Sequence, residues 1–73
     1  MIRLRVAEIA RQQGMSMGKL SRKSDVSYRT VKLIYANPTM SITTYTLNKL
    51  ATALGVPASE LLETLPDPPA SGQ

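Results

Sequence analysis

The chain has 73 residues, of which 42% are hydrophobic, and carries a formal net charge of +4. A chain of this length forms one small domain with one modest core, for which dimerisation would supply useful extra stability. Cysteine and histidine are absent, which removes disulfides, thiol nucleophiles, imidazole bases and nearly all zinc or haem ligation. We therefore expect a protein that is not an enzyme and that holds neither a metal nor a cofactor.

The charge is distributed unevenly along the chain. Residues 1–50 hold all nine Lys and Arg residues against Glu8 and Asp25, for a net charge of +7, whereas residues 51–73 hold three acidic residues and no base. A basic region suits a phosphate backbone, although a solvated basic surface explains the charge alone equally well. No apolar run resembles a signal peptide core or a transmembrane helix, so we expect a cytoplasmic protein without membrane contact.

The first predicted elements are a short alternating segment and a helix. Residues 2–5 alternate apolar and basic side chains, as a half-buried strand does, but a lone strand has no partner within a helical domain. The segment is therefore irregular, a continuation of the first helix, or a strand that pairs with the same segment of a second subunit across a two-fold axis. The first helix is predicted from about Arg5 to Gln13, with Gly14 taking the left-handed position after its end.

Two short helices joined by a tight corner follow, which is the arrangement of a helix-turn-helix. The second helix follows Ser16 and ends near Lys23, and the third follows Ser27 and ends at about Ala36. Each serine can cap its helix by accepting a hydrogen bond from a first-turn amide. In the corner, Asp25 tolerates the left-handed backbone that the turn requires. The hydrophobic staples around the two serines are Met15 with Leu20 and Val26 with Val31.

The predicted fold class is all-α, a compact five-helix domain with a helix-turn-helix and a possible short N-terminal strand. The fourth helix begins at Thr43 and stops before Gly55, and a brief fifth helix runs from Pro57 to about Glu63. The domain spans residues 1–63. Residues 64–73 include three prolines and a glycine without apolar periodicity, and they are predicted to form a disordered tail.

The third helix carries the candidate base-contacting residues, because its side away from the apolar stripe presents Tyr28, Arg29, Lys32 and Leu33. Arg29 lies in the first turn, where its planar guanidinium can bond guanine O6 and N7 together. Tyr28 can contact a sugar or a phosphate, and Lys32 a base or a phosphate. Leu33 either contacts a thymine methyl, packs on a dimer partner or is a scattered exposed apolar residue. For each of the other three, a solvated helix side chain is the alternative interpretation.

Hydroxyl groups and cations around this helix are candidate contacts to the phosphate backbone. Helix N-termini bind anions, so the starts of the second and fourth helices are natural anchors. Capping remains the primary role of the hydroxyl residues, and cations late in the second helix also complement its dipole. Tyr35 and Tyr45 are assigned to the core or its rim. The candidates taken from the residues themselves are Ser16, Lys19, Arg22, Ser27, Thr39, Ser41 and Thr43.

Residues 5–63 resemble the Cro and phage-repressor type of helix-turn-helix proteins, also called the xenobiotic response element family. Members form lambda-repressor-like five-helix domains that usually bind operator DNA as dimers and regulate transcription. The motifs that carry the resemblance are Gly14-Met15-Ser16, Leu20-Ser21, Val26-Ser27-Tyr28-Arg29-Thr30-Val31, Leu50-Ala51-Thr52-Ala53-Leu54-Gly55-Val56 and Glu60-Leu61-Leu62.

The resemblance implies base contacts at Tyr28, Arg29 and Lys32 or Leu33. It implies backbone contacts at Ser27 and in the loop that begins at Asn37. Position 17 also contacts a phosphate in this family, which commonly has glutamine there. Met17 departs from that pattern, because a thioether cannot donate a hydrogen bond.

The sequence therefore predicts a dimeric, sequence-specific DNA-binding transcriptional regulator whose helix at about 28–36 reads the major groove. Its partner is double-stranded DNA, with an inverted repeat as the operator. The alternative is a protein-interaction module of the same fold, either an antitoxin with a toxin partner or a coactivator-like adaptor.

Overall fold

The computed structural model describes residues 1–66 of the chain. Within these residues, no helix has the length and apolar character that crossing a membrane requires. In chain order the elements are β1 (Ile2–Leu4), α1 (Val6–Gln12), α2 (Met17–Ser24), α3 (Tyr28–Ala36), α4 (Thr44–Leu54), a 3-10 turn (Ala58–Leu61) and β2 (Leu62–Thr64). The described residues thus form four α-helices and a two-stranded antiparallel sheet.

Three hydroxyl side chains begin α2, α3 and α4, as the sequence predicts. The side-chain oxygens of Ser16, Ser27 and Thr43 each accept a hydrogen bond from the amide three residues later, at 3.1 to 3.2 Å. Each bond satisfies one amide that has no partner inside its helix. Gly14, shortly after α1, and Gly55, at the end of α4, adopt the left-handed conformation, with φ of +67° and +68°. The starts of both helices of the helix-turn-helix therefore follow from local sequence.

One core holds the four helices and the sheet together. Leu20 of α2 and Leu50 of α4 are fully buried. Val31 and Ile34 of α3 are buried as well, with at most 1% of either residue exposed to solvent. Each buried aliphatic side chain of this kind contributes about 1.5–3 kcal/mol relative to an exposed one. Because Val31 and Ile34 point into the core, the opposite side of α3 faces outward.

The described residues are mostly helical, as predicted, and include the helix-turn-helix, but the predicted fifth helix is wrong. Pro57 offers no capping oxygen and no N–H, and the helical conformation lasts for a single 3-10 turn, Ala58–Leu61. The chain then extends into β2, which pairs with β1 in the register Ile2↔Thr64, Arg3↔Glu63 and Leu4↔Leu62. Extended pairing satisfies the backbone groups of both chain segments at once.

The N-terminal segment forms a strand whose partner lies in the same chain. The sequence-based expectation that this strand has no intramolecular partner is wrong, and the segment neither continues α1 nor is irregular. The sheet reaches past residue 63, because Thr64 belongs to β2 and the Leu65 amide donates to the Met1 carbonyl at 2.8 Å. Of the predicted disordered tail, residues 67–73 lie outside the described residues.

A left-handed residue makes the turn between α2 and α3. Asp25 has φ 59° and ψ 33°, the only positive φ at a described residue other than glycine. The Ser21 hydroxyl donates to the Val26 carbonyl at 2.6 Å, and the Ser24 hydroxyl accepts from the Val26 amide at 3.3 Å. The Lys49 ammonium of α4 donates to the Asp25 carbonyl at 3.0 Å. Three side chains therefore hold the turn that positions α3.

We predict that Asp25→Ala lowers the free energy of unfolding by about 1 kcal/mol, because alanine in the left-handed region has a steric penalty and no compensating polar side chain. Asp25→Gly is the matched control, and it should change the free energy of unfolding by less than about 0.5 kcal/mol because glycine adopts this conformation freely. Urea denaturation followed by circular dichroism measures both values. Equal losses in the two variants would show that the side chain of Asp25, and not its backbone conformation, stabilises the turn.

Candidate nucleic-acid interface

The outward side of α3 is a polar surface with an apolar edge. Tyr28 and Leu33 are 49% and 47% exposed, and Arg29 and Lys32 between them are exposed as well. No hydrogen bond or ion pair to a described residue involves the side chain of Arg29 or Lys32. The helical geometry thus presents these four predicted residues together. The two cations, Arg29 and Lys32, can therefore donate hydrogen bonds to an anionic or polar partner outside the chain.

The start of α2 lies in the same helix-turn-helix unit. Ser16 and Lys19 are exposed, as is Arg22 one turn later, and neither cation has a partner among residues 1–66. The Ser16 hydroxyl serves as the helix cap. Met17 is half-buried and packs against the core, so its side chain makes an apolar contact and only its amide is polar.

The loop between α3 and α4 carries the remaining phosphate candidates. Asn37, Thr39 and Ser41 are exposed, and the Thr39 hydroxyl donates to the Asn37 side-chain oxygen at 3.2 Å. The Pro38 carbonyl accepts a hydrogen bond from the Leu4 amide at 2.6 Å. The loop is therefore anchored to β1, with its polar side chains on the surface before the capped start of α4.

Tyr45 and Lys49 form a pair that the sequence does not place at this surface. Tyr45 is 71% exposed, so its assignment to the core or its rim is wrong, whereas Tyr35 is half-buried. The Lys49 ammonium lies 4.6 Å from the centroid of the Tyr45 ring and also bonds the Asp25 carbonyl. Their i, i+4 spacing is a signal for such a contact, since residues four apart on a helix are neighbours. The pair places an aromatic ring beside the turn that precedes α3.

The basic residues fall into two groups with different surroundings. Near the sheet, Arg3 bonds Glu63 across the strands, and Arg5 bonds Glu8 at 2.6 Å. The hydrogen bond and the charge of Arg5 lower the pKa of the Glu8 carboxyl, and Glu8 raises the pKa of Arg5 in turn. The cations outside this cluster have only one carboxylate among them in the described residues, that of Asp25: Arg11, Lys19, Arg22, Lys23, Arg29, Lys32 and Lys49.

This separation gives the domain a positive side around α2 and α3 and a mixed-charge side at the sheet. Of the four acidic side chains in residues 1–66, three accompany the sheet and its neighbouring turns: Glu8, Glu60 and Glu63. A polyanion is attracted to the first side and not to the second, because uncompensated cations supply the favourable field.

One family model matches almost the whole chain. It is described as a Cro/C1-type HTH DNA-binding domain, and it matches residues 5–67. Neither a curated protein nor a solved structure matches the chain significantly. The matched span includes all four helices and β2.

We predict that the Arg5–Glu8 ion pair makes stability depend on acid. Because the pKa of Glu8 is lower in the folded protein than its ordinary value, the pair stabilises the fold above that ordinary value, and the contribution is lost as the pH falls through the folded value. Glu8→Gln should therefore lower the midpoint of urea unfolding at pH 7, and the difference from the unsubstituted protein should disappear as the pH falls through the lowered pKa of Glu8.

Glu60→Gln is the matched control for this experiment, because it removes the same charge from a side chain without an ion pair in the described residues. A loss for Glu8→Gln that is independent of pH, or one equalled by Glu60→Gln, would contradict the assignment.

Proposed function

Because the chain belongs to the Cro/C1-type family of helix-turn-helix DNA-binding domains, we propose that it is a sequence-specific transcriptional regulator that reads the major groove through α3. Domains of this family are typically non-enzymatic. The observation that carries the proposal is the outward side of α3, where Arg29 and Lys32 are exposed and have no partner among the described residues. A helix of nine residues fits the major groove with its N-terminal turn against the base edges.

Arg29 is the principal base-reading residue in this proposal. It is the second residue of α3, and its fork of N–H donors matches the two acceptors that guanine presents in the major groove. Lys32 lies one turn further on and contacts a base acceptor or a phosphate. Tyr28 lies at the margin of the helix and contacts the sugar-phosphate wall, and Leu33 presents an apolar surface to a thymine methyl.

Contacts to the phosphates position α3 without reading sequence. At the start of α2 the positive end of the helix dipole and the Lys19 ammonium attract one phosphate, with Arg22 adding charge a turn later. The main-chain amide of Met17 takes the place of the side-chain donor that its thioether lacks. On the other flank we propose contacts from Ser27, Asn37, Thr39, Ser41 and Thr43, through hydroxyls and amides that also cap helices or order the loop.

We further propose that the protein acts as a homodimer. A two-fold symmetric dimer places two copies of α3 in successive major grooves, about 34 Å apart, and therefore binds an inverted repeat. Two linked half-sites also raise affinity steeply, since the second contact becomes intramolecular. Such a dimer suits a domain whose single outward helix contacts only a few base pairs.

We predict that selection of bound duplexes from a random DNA pool at physiological salt returns an inverted repeat with half-site centres about ten base pairs apart. Sequencing the selected pool gives the site and its symmetry together. A single unrepeated half-site would contradict the dimer and leave base reading intact. A pool that stays random would contradict sequence-specific binding.

We predict that Arg29→Ala weakens binding to the selected site by about 1–3 kcal/mol and relaxes the preference at one base pair of each half-site. Lys19→Ala should instead weaken selected and random duplexes alike and reduce the slope of log K against log salt by about one. Fluorescence anisotropy with both duplexes at several salt concentrations measures these quantities.

Arg29→Lys is the matched control, because it keeps the charge and loses the two-pronged contact. It should retain affinity for the random duplex and lose affinity for the selected one. The same modest loss on both duplexes for every variant would remove Arg29 as a base reader. No salt-dependent DNA binding, together with a protein partner that still binds when Arg29 and Lys32 are neutralised, would favour the interaction module instead.

A further inference from the structure

Within residues 1–66, the loop between α3 and α4 flanks the β1 edge of the two-stranded sheet and leaves the β2 edge clear. In an antiparallel pair, residues alternate between those that bond the partner strand and those whose N–H and C=O point away from it. Met1 and Leu65 exchange two backbone hydrogen bonds, and the Arg5 amide bonds the Leu61 carbonyl. The main-chain groups of Thr64, between two bonding positions, therefore point outward from β2.

The edge on β1 is bonded at Leu4 to the neighbouring loop of the same chain. On β1 the outward-pointing amide of Leu4 donates to the Pro38 carbonyl of the loop between α3 and α4, at 2.6 Å. On β2 the outward amide of Leu62 closes the 3-10 turn by bonding the Ser59 carbonyl. The outward groups at the β2 edge without a hydrogen-bond partner in residues 1–66 are the amide of Thr64 and the carbonyls of Leu62 and Thr64.

Exposed apolar side chains accompany this edge. Leu62 is 38% exposed and shares a face of the sheet with Ile2, which is 47% exposed. Both line a depression that continues over Met40 and Ile42 of the neighbouring loop. Beyond Tyr28, Leu33 and Tyr45, which belong to the positive side, the large exposed apolar residues of the described chain cluster at the sheet.

The charges at the sheet favour a second copy of the chain over nucleic acid as the partner. The carboxylates of Glu8, Glu60 and Glu63 balance Arg3 and Arg5 there, whereas the remaining surface carries a strong excess of cations. Two identical basic proteins repel each other least where acidic and basic side chains alternate, and they can pair them across the contact. DNA, being a polyanion, is not attracted to that surface.

We propose that β2 pairs antiparallel with β2 of a second copy, so that the two sheets join into one four-stranded sheet about a two-fold axis. An open strand edge is self-complementary under this symmetry, because each outward donor meets an outward acceptor of the partner. Leu62 of each copy then packs beside the partner strand. This inference rests on the proposed function in one respect: the contact between the two β2 strands would be the interface of the dimer that we propose binds an inverted repeat.

A proline substitution tests the edge without removing an internal hydrogen bond. Thr64→Pro deletes the outward N–H and leaves the Arg3–Glu63 and Met1–Leu65 backbone pairs in place. Thr64→Ala is its matched control, since it keeps the N–H. Sedimentation equilibrium of the full chain should show a dimer for the unsubstituted protein and for Thr64→Ala. For Thr64→Pro the dissociation constant should rise at least about tenfold, because symmetry removes two hydrogen bonds.

A second pair of variants tests the apolar part of the contact. Leu62→Lys places a charge on each side of the two-fold axis and should yield a monomer, whereas Leu33→Lys changes a more exposed leucine on α3 and should leave a dimer. Circular dichroism melting identifies any variant that fails to fold. The chain has no cysteine, so a single Thr64→Cys substitution should give an intermolecular disulfide under oxidation, and Thr52→Cys on α4 should not.

The DNA-binding proposal and the dimer proposal fail separately in these experiments. A monomeric unsubstituted protein at high micromolar concentration, or a dimer that persists in both Thr64→Pro and Leu62→Lys, would overturn the β2 interface. A monomeric Thr64→Pro that still binds a single half-site with the same salt dependence would support the interface and the DNA-binding role together. Loss of half-site binding in every form of the protein would instead overturn DNA binding.

Discussion

The placement of α3 depends on the left-handed backbone at Asp25. With this conformation the chain passes from α2 to α3 within three residues, and side chains from α2 and α4 bond the turn on both sides. Burial of Val31 and Ile34 then fixes the rotation of α3 about its axis. One restraint sets where the helix begins and the other sets which side faces outward. Contacts to base edges need such rigid placement, because they lose strength steeply with small displacements.

The division of charge is the second property that the fold creates. In the sequence, nothing distinguishes the basic residues Arg3 and Arg5 from Lys19 or Arg29, because all four belong to the basic first half of the chain. In the folded domain the first two are paired with carboxylates from α1 and from β2, a strand about sixty residues away. The cations of α2 and α3 have no such partner within residues 1–66. Folding therefore converts a basic half of the sequence into a basic side of the surface.

Local signals were sufficient to predict α2, α3 and α4. Each begins at a hydroxyl residue that caps it, and α4 ends at a glycine with positive φ, so a few neighbouring residues determine each boundary. The exposure of Tyr28, Arg29, Lys32 and Leu33 also followed from helical periodicity. What they contact does not follow from periodicity or from the fold, because identical exposed side chains serve in many kinds of surface.

The sheet and the pairing of Tyr45 with Lys49 were not predicted, for two different reasons. The strands have three residues each and pair across most of the chain, and so short a segment carries no periodic pattern that identifies a distant partner. The apolar Leu61 and Leu62 suggested a helix, although Pro57 cannot cap one. Tyr45 and Lys49 are four apart on α4, but only the folded turn brings the Asp25 carbonyl within reach of the ammonium.

The long-range pairing of β1 with β2 bears on the order in which we expect structure to form. The contacts of α2 with α3 and α4 lie within residues 17–54, whereas the sheet closes a loop of about sixty residues and must overcome a larger closure entropy. We therefore expect the strands to pair after these helices have packed together. Separation of the strands would expose Leu4 and Leu61, which are buried in the folded domain, and we expect the hydrogen bonds within α2 and α3 to outlast it.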